Sequence, residues 1–479
     1  MKTPLSALMG MALLSGNVFA QQTPNVIFLM ADDMGWGDVG FNGNKIIKTP
    51  HLDQLAADAL VFDRFYTGSS VSSPTRASVL TGRNPFRTGV FDANVGIIRP
   101  EEQTLPELLK DKGYLSGHFG KWHLGTLTYQ EKDANRGCPE NKHLYNLPAE
   151  HGYDDSFVTE SKVPTYNPMI RPATCNNRFW DYTREGDAIV SYNTYYWKHN
   201  GEKETENLEG DDSRVIMDRV IPFIQKAQDL ARPFFSVVWF HTPHLPCVAG
   251  PEYAALYPNM SLEERNYYGC ITALDDQVGR LIDYLKQNNL YDNTLICFCS
   301  DNGPEVTTPG TAAHLRGKKR DLYEGGIRVP SFIVYPGKDA AKGRIQSIAS
   351  TCDYLPTLVD MLQLRLPSNQ LDGVSILPLL KGQQPMAGKQ HVVCYKKQGA
   401  VIEQQYKLYY SQGRYELYDI EQDPSEQHDL AAQHPDIVKR LKQTLDERLC
   451  SLKASFAGEE YGTGSYLRVP QKWIDIKRN

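Results

Sequence analysis

The chain is 479 residues long, 41% hydrophobic and 10% aromatic, with a formal net charge of −6. This is the composition of a globular fold, large enough for one extended α/β unit with an appendage or for two to three ordinary domains. No long basic run appears, which argues against a nucleic-acid partner, and the 27 tyrosines suit a carbohydrate site as well as an ordinary core.

In chain order, the first segment reads as a targeting signal. MKTPLSALMGMALLSGNVFA combines Lys2, an apolar stretch and a small-residue site ending at Ala20. Residues 1–20 are therefore expected to be a signal peptide, with a mature chain from Gln21 that is periplasmic or secreted. The stretch is too short and interrupted to span a bilayer, and no later run is long enough, so no stable membrane insertion is expected. NVIFLM, between Pro24 and Asp32, is a continuous apolar run, the pattern of a strand buried on both faces of a parallel sheet. HLDQLAAD and TLPELLKDKG predict helices, the second with Pro106 near its start and Gly113 at its end. YLSGHFGKWHLG predicts a strand opening into a loop. From Thr126 to Asp212 no clean period survives, and this stretch reads as a long insertion over the scaffold, suited to substrate contacts.

Order returns with the helix SRVIMDRVIPFIQKAQ and the strand PFFSVVWF. The next helix carries Ile271, Leu274, Val278, Leu281, Ile282 and Leu285 on one face. NTLICFCSDNG is another strand running into a loop, followed by VPSFIVYPG and the helix DYLPTLVDML. Strands alternating with helices predict an α/β fold with a large, mainly parallel sheet flanked by helices. Past Lys381, KLYYSQGRYELYDIEQDPSEQHDLA reads as short antiparallel strands and PDIVKRLKQTLDERLCSL as an amphipathic helix. The expected division is a catalytic unit over 21–385 and a smaller α+β subdomain over 386–479. Of nine cysteines, Cys297 and Cys299 read as buried small hydrophobes, while Cys138 and Cys175 are the best disulfide candidates. No Cys/His spacing suggests zinc.

The polar residues of interest follow strands. Asp32 and Asp33 suit a surface turn, but two adjacent carboxylates after a buried strand also suit a cation site. Asp301 and Asn302 are hard oxygen ligands in the same position after a second strand, so the four could form an oxygen cage for Ca²⁺ or Mg²⁺. In SSVSSPTRASVLTGR, Pro74 suits the first turn of a helix and Gly82 its end, with Ser72 just before the helix. Backbone N–H groups there favour an anion, and Arg76 can offer it a guanidinium fork; a serine N-cap with a surface arginine explains the same string.

Together these motifs resemble the formylglycine-dependent sulfatases of the alkaline-phosphatase-like superfamily. Ser72-Ser73-Pro74-Thr75-Arg76 with Thr81-Gly82-Arg83 matches the family string whose first residue is oxidised to Cα-formylglycine. The resemblance runs from Pro24 to about Leu380, and LYDIEQDPSEQHDLA matches the family's end. It implies a sulfuric ester hydrolase with Asp32, Asp33, Asp301, Asn302 and residue 72 around Ca²⁺. GKWHLG implies Lys121 as a sulfate-binding lysine and His123 as a catalytic histidine. HTPHLP implies His244 at the leaving group, with His241 as its rival, and the segment before Y-E-G-G implies Lys319, with Lys318 as the alternative. Arg76, Lys121 and Lys319 would hold the sulfate oxygens, His244 would protonate the departing oxygen, and His123 would accept a proton when the hydrated aldehyde releases sulfate. Serine in place of cysteine at 72 implies a serine-type maturase of the anaerobic radical kind as a partner in biogenesis. The competing readings are a zinc phosphatase or phosphodiesterase with unmodified Ser72, and an inactive glycan-binding relative.

The substrate expected on this resemblance is a sulfated oligosaccharide, attacked at a terminal sugar of galactose or N-acetylgalactosamine type. RFWDYTREGD and YNTYYWKHNGEKE mix rings for stacking with charges for hydroxyl groups, and Trp180, Asp181 and Arg184 are the candidate sugar contacts.

Overall fold

The computed structural model describes residues 23–384 and 388–462. The expected signal segment lies outside these residues, as does the expected boundary at 385–386. No helix among the described residues is long and apolar enough to cross a membrane.

A nine-stranded sheet forms the scaffold. From edge to edge its strands are Gly343–Ile345, Leu60–Phe62, Ser331–Val334, Thr294–Ser300, Asn25–Ala31, Phe234–Trp239, Leu115–Lys121, Asp155–Thr159 and Trp197–Lys198. The five from Thr294–Ser300 to Asp155–Thr159 are mutually parallel, and Ser331–Val334 and Trp197–Lys198 run antiparallel to their inner neighbours. Asn25–Ala31 is buried along its whole length. Ile27, Leu29 and Ala31 face a core shared with the helices Asp212–Asp229 and Leu262–Gln287. Val26, Phe28 and Met30 face the opposite core, shared with Ser72–Thr81 and Tyr354–Leu362. Helices on both faces leave no polar side for this strand, which is why its sequence does not alternate. Each fully buried Leu, Ile or Phe here contributes on the order of 1.5–3 kcal/mol.

The register sets up the site. Ala31 pairs with Ser300, Met30 and Gly120 both pair with Trp239, and Lys121 pairs with Thr159. The parallel strands therefore end level, and the residues after each one emerge on one edge, where open α/β sheets bind ligands.

Two expectations are corrected. The stretch from Thr126 to Asp212 is only partly an insertion, since Asp155–Thr159 and Trp197–Lys198 are strands of the main sheet. They escape a periodicity reading because they are short and their polar residues sit among buried ones. Cys138 and Cys175 form no disulfide; both are half-buried free thiols. Cys175 Sγ lies 3.5 Å from Asn177 Oδ1 and turns toward its own hairpin.

The small antiparallel sheet, Gln390–Tyr395, Gln398–Glu403, Tyr406–Ser411 and Arg414–Asp419, follows in simple meander order. Leu441, Leu445, Leu449 and Leu452 of helix Pro435–Ala457 pack on Val401, Leu408 and Leu417, and Phe86 of the large unit joins the same cluster.

Candidate active site

Asp32 and Asp33 follow Asn25–Ala31, and Asp301 and Asn302 follow Thr294–Ser300. Because these strands end level, Asp33 N donates to Asp301 Oδ1 at 3.1 Å and Asp301 N to Ala31 O at 3.1 Å. All three carboxylates and Asn302 are buried. Asp33 takes φ 67°, an uncommon conformation for a non-glycine residue that aims the paired carboxylates at the same point.

The helix Ser72–Thr81 brings residue 72 to this point. Val71 is its N-cap and Gly82, at φ 67°, its left-handed C-cap, so Ser72 is the first helical residue rather than the one before it. Ser72 Oγ lies 3.2 Å from Asp32 Oδ1 and 3.4 Å from Asn302 Oδ1. These separations are long for hydroxyl hydrogen bonds, which cluster near 2.7–2.8 Å. They come close to oxygens sharing one hard cation, since ligands at ~2.3–2.6 Å and right angles lie about 3.3–3.7 Å apart. Asp32, Asp33 and His244 also offer ligand atoms within 4.8 Å of one another. The oxygen-rich donor set thus fits Ca²⁺ or Mg²⁺.

Three cations surround the carboxylates. Arg76 Nη2 reaches Asp301 at 2.7 Å, Lys121 Nζ reaches Asp32 at 2.6 Å, and Lys319 Nζ reaches Asp33 at 2.7 Å. Burial opposes charge on Asp32, but Lys121, His244, Arg76 and Lys319 outweigh it and hold the carboxyl well below its usual range. Asp301 is pushed up to about 6 by burial and the like charge of Asp32. Burial lowers the Lys121 ammonium, whereas Asp33 and Asp32 overcome burial at Lys319 and raise it. Arg76 Nε and Nη1 are buried without a hydrogen-bond partner among the described residues.

Lys319 is delivered by close backbone contact. A Cβ at Gly303 would lie 1.9 Å from Gly325 O, so the D-N-G turn and the E-G-G turn can meet only through glycines. Gly303 N then donates to Gly326 O at 3.0 Å and Lys319 N to Pro304 O at 3.0 Å. Lys318 turns away, its Nζ bonded to Gly310 O at 2.9 Å.

The two histidines of the 241–244 loop have different surroundings. His241 is fully buried, with Nε2 2.7 Å from Thr159 Oγ1 and Nδ1 2.8 Å from Asp212 Oδ2. Both ring nitrogens are occupied by the scaffold. His244 donates from Nδ1 to Leu245 O at 2.6 Å and turns Nε2 toward Asp33 Oδ2, 3.6 Å away. Burial and Lys319 lower its pKa well below the usual histidine value. His123, at φ 59°, lies past Lys121 with Nε2 2.7 Å from Asn94 Oδ1; burial, Lys121 and Arg136 likewise lower its pKa well below the usual histidine value.

The proposed sugar contacts are less converged. Phe179 bridges to Cys247, which runs this segment beside the His244 loop. Trp180 is buried, Asp181 pairs with Arg265 at 2.9 Å, and exposed Arg184 stacks over Tyr182. None of the three contacts the carboxylate cluster. Lys162 escaped the sequence reading because the strand before it was not recognised. It is half-buried with no ion pair among the described residues, and burial and the like charge of Lys319 lower its pKa. Arg83, the end of the T-G-R string, is structural and pairs with Glu102 at 2.6 Å.

Comparison with known proteins agrees with this geometry. The family model described as Sulfatase matches residues 24–364, and one described as N-sulphoglucosamine sulphohydrolase, C-terminal, matches 314–454. The chain is 31% identical over 384 residues to human N-acetylgalactosamine-6-sulfatase, covering 76% of this chain and 67% of that protein. It is 30% identical over 489 residues to human arylsulfatase A, covering 92% and 90%. Among solved structures, Ps i-CgsB in complex with k-i-k-neocarrahexaose superposes with a TM-score of 0.75 at 28% identity, over 89% of this chain and 92% of that one. A family match spanning the whole carboxyl-edge cluster, from the strand before Asp32 past Lys319, places the chain in the sulfatase family as a sulfuric ester hydrolase.

Proposed function

We propose that the enzyme removes sulfate from carbohydrates, acting on terminal sulfated sugars of glycan oligosaccharides, with galactose or N-acetylgalactosamine sulfates favoured. The observation that carries this reading is the convergence of Ser72 Oγ, the three buried carboxylates, and Arg76, Lys121 and Lys319. The names of the relatives and the oligosaccharide in the Ps i-CgsB complex support a sugar as the leaving group.

In this reading Ser72 is oxidised to formylglycine by a serine-type maturase, and the chain is exported to the periplasm. Asp32, Asp33, Asp301, Asn302 and residue 72 would hold Ca²⁺, which supplies positive charge against a sulfate oxygen. Formylglycine supplies, as its hydrate, one hydroxyl for attack on sulfur and a second that allows sulfate to be expelled. The chain's own groups do the rest. Arg76, Lys121 and Lys319 bind the sulfate oxygens and stabilise charge as the S–O bond lengthens. His244 Nε2, with the cationic Lys319 beside it, relays a proton to the departing sugar oxygen. His123 accepts the proton of the second hydroxyl when sulfate is expelled. Trp180, Asp181 and Arg184 belong to the rim that receives the sugar.

Peptide mapping of active enzyme should find residue 72 lighter than serine by two hydrogens; active enzyme with intact serine would sink the formylglycine reading. Desulfation of defined mono- and disaccharides, each sulfated at one of O2, O3, O4 or O6, tests the sugar. Strong action on internal sulfates of polymers with none on terminal ones would exclude the exo mode. His244→Ala should slow sugar sulfates more than activated aryl sulfates, whose leaving groups need little protonation.

A further inference from the structure

His123 lies in a hydrogen-bond arrangement that the sulfatase reading does not use. The tight turn at 92–95 closes with Val95 N donating to Asp92 O at 3.2 Å, and Asn94 takes φ 62° in it. Asparagine tolerates this left-handed conformation better than most residues. The turn points Asn94 Oδ1 at His123 Nε2, 2.7 Å away. The same oxygen accepts from Asn135 Nδ2 at 2.9 Å, and Asn135 Nδ2 also donates to Ser161 Oγ at 2.8 Å.

Asn135 is itself anchored. Its N–H donates to Glu160 Oε2 at 2.9 Å, and Arg136 Nε binds Glu160 Oε1 at 2.6 Å. Glu160 O receives His123 N at 3.1 Å, so one buried residue braces both ends of the arrangement. A carbonyl oxygen can only accept a hydrogen bond, so the proton on the His123 ring belongs at Nε2. That leaves the lone pair on Nδ1, which is buried without a hydrogen-bond partner among the described residues. An orphaned buried nitrogen is costly unless a bound group completes it.

We propose that Asn94, braced by Asn135, is a positioning residue that holds His123 in the Nε2-protonated tautomer and so reserves Nδ1 as the proton acceptor. The inference rests on the reading that His123 takes a proton during sulfate release. Without Asn94, the ring is free to rotate or to carry its proton on the wrong nitrogen.

The test is long-range ¹H–¹⁵N NMR on histidine-labelled protein in its Ser72 form, with His123→Gln identifying the signal. Wild type is expected to show Nε2–H with an unprotonated Nδ1. Asn94→Ala should give a mixture of tautomers, whereas Asn94→Asp, which keeps an oxygen acceptor, should preserve the wild-type tautomer. In matured enzyme, Asn94→Ala should lower kcat by about 10²-fold while KM changes less than about twofold. A wild-type signal protonated at Nδ1 overturns the proposal, as does an Asn94→Ala protein with unchanged tautomer and kcat. If Asn94→Ala does not fold, the wild-type spectrum alone decides. The spectrum needs no turnover, so a matured wild type without sulfate-ester hydrolysis would count against the sulfatase chemistry and not against the tautomer.

Discussion

Lys407 is as deeply buried as Lys121, yet the two lysines belong to clusters of different completeness. Lys407, on the small sheet, binds Glu324 at 3.0 Å and Glu426 at 2.9 Å. Tyr66 donates to Glu324 at 2.9 Å, and Glu324 N donates to Glu426 at 2.7 Å. Here the charges close upon one another, with Glu426 Oε1 held by the Lys407 ion pair alone, and join the small sheet to the segment that follows Lys319. Around Lys121 the charges also balance, but Arg76 Nε, Arg76 Nη1 and His123 Nδ1 have no hydrogen-bond partner among the described residues, and Ser72 Oγ makes only long contacts. Both clusters are strongly perturbed electrostatically: Glu426 is pushed up to about 7 by burial against the pull of Lys407, and Asp301 to about 6. Perturbation alone therefore does not separate a site from a staple. What separates them is the buried donors that Arg76 leaves free beside the carboxylates, because charged donors with nothing to bind mark where an anion is still to be received.

The largest effect is expected from breaking the closed cluster. Lys407→Met leaves two buried carboxylates facing each other and should cost about 3–5 kcal/mol. The triple variant Glu324→Gln, Lys407→Met, Glu426→Gln should be more stable than the single one, read by urea denaturation. Equal stability of the two would show that the cluster is not the staple described. The open cluster should respond to a cation instead. Chelation should abolish activity and lower Tm, and Ca²⁺ at one hundred times its Kd should restore about 2.7 kcal/mol. Metal-stripped protein with full activity would contradict the oxygen cage.

A smaller effect sharpens the comparison at the seam. His391, stacked on Tyr66 with Nε2 3.1 Å from Thr67 O, is pushed down to about 4, chiefly by burial. Its unfolded value is higher, at about 6.5, so the unfolded chain binds the proton first as pH falls. Its contribution is fully present above about pH 6.5 and is lost as pH falls toward 4, by at most about 1.4 kcal/mol per pH unit. His391→Gln should flatten the stability profile across that window by this amount. An unchanged slope would mean that the ring is not held neutral.

Much of this protein was legible in its sequence because local chemistry repeats where geometry demands it. The apolar run at Asn25–Ala31, Pro74 in the first turn and Gly82 at the C-cap of one helix, and the carboxylates after two strands each follow from burial, backbone conformation and charge acting within a few residues. The strand Asp155–Thr159 was illegible, because five residues of mixed polarity have no distinctive period and become a strand only beside Leu115–Lys121. Lys162 was missed with it.

By itself, then, the sequence determined the sheet's central strands, the string around Ser72 and the types of residue available for a hard cation and an anion. Only the tertiary structure decided between His241 and His244 as the ring that faces the carboxylates, and likewise between Lys319 and Lys318. It also placed Asp181 against Arg265 and Asn94 against His123. The physical reason is that a side chain's chemistry is set by its own atoms, but its freedom to act is set by which neighbours have already claimed them. Those neighbours can lie hundreds of residues away, 286 for Lys319 and Asp33, where no local pattern can report them.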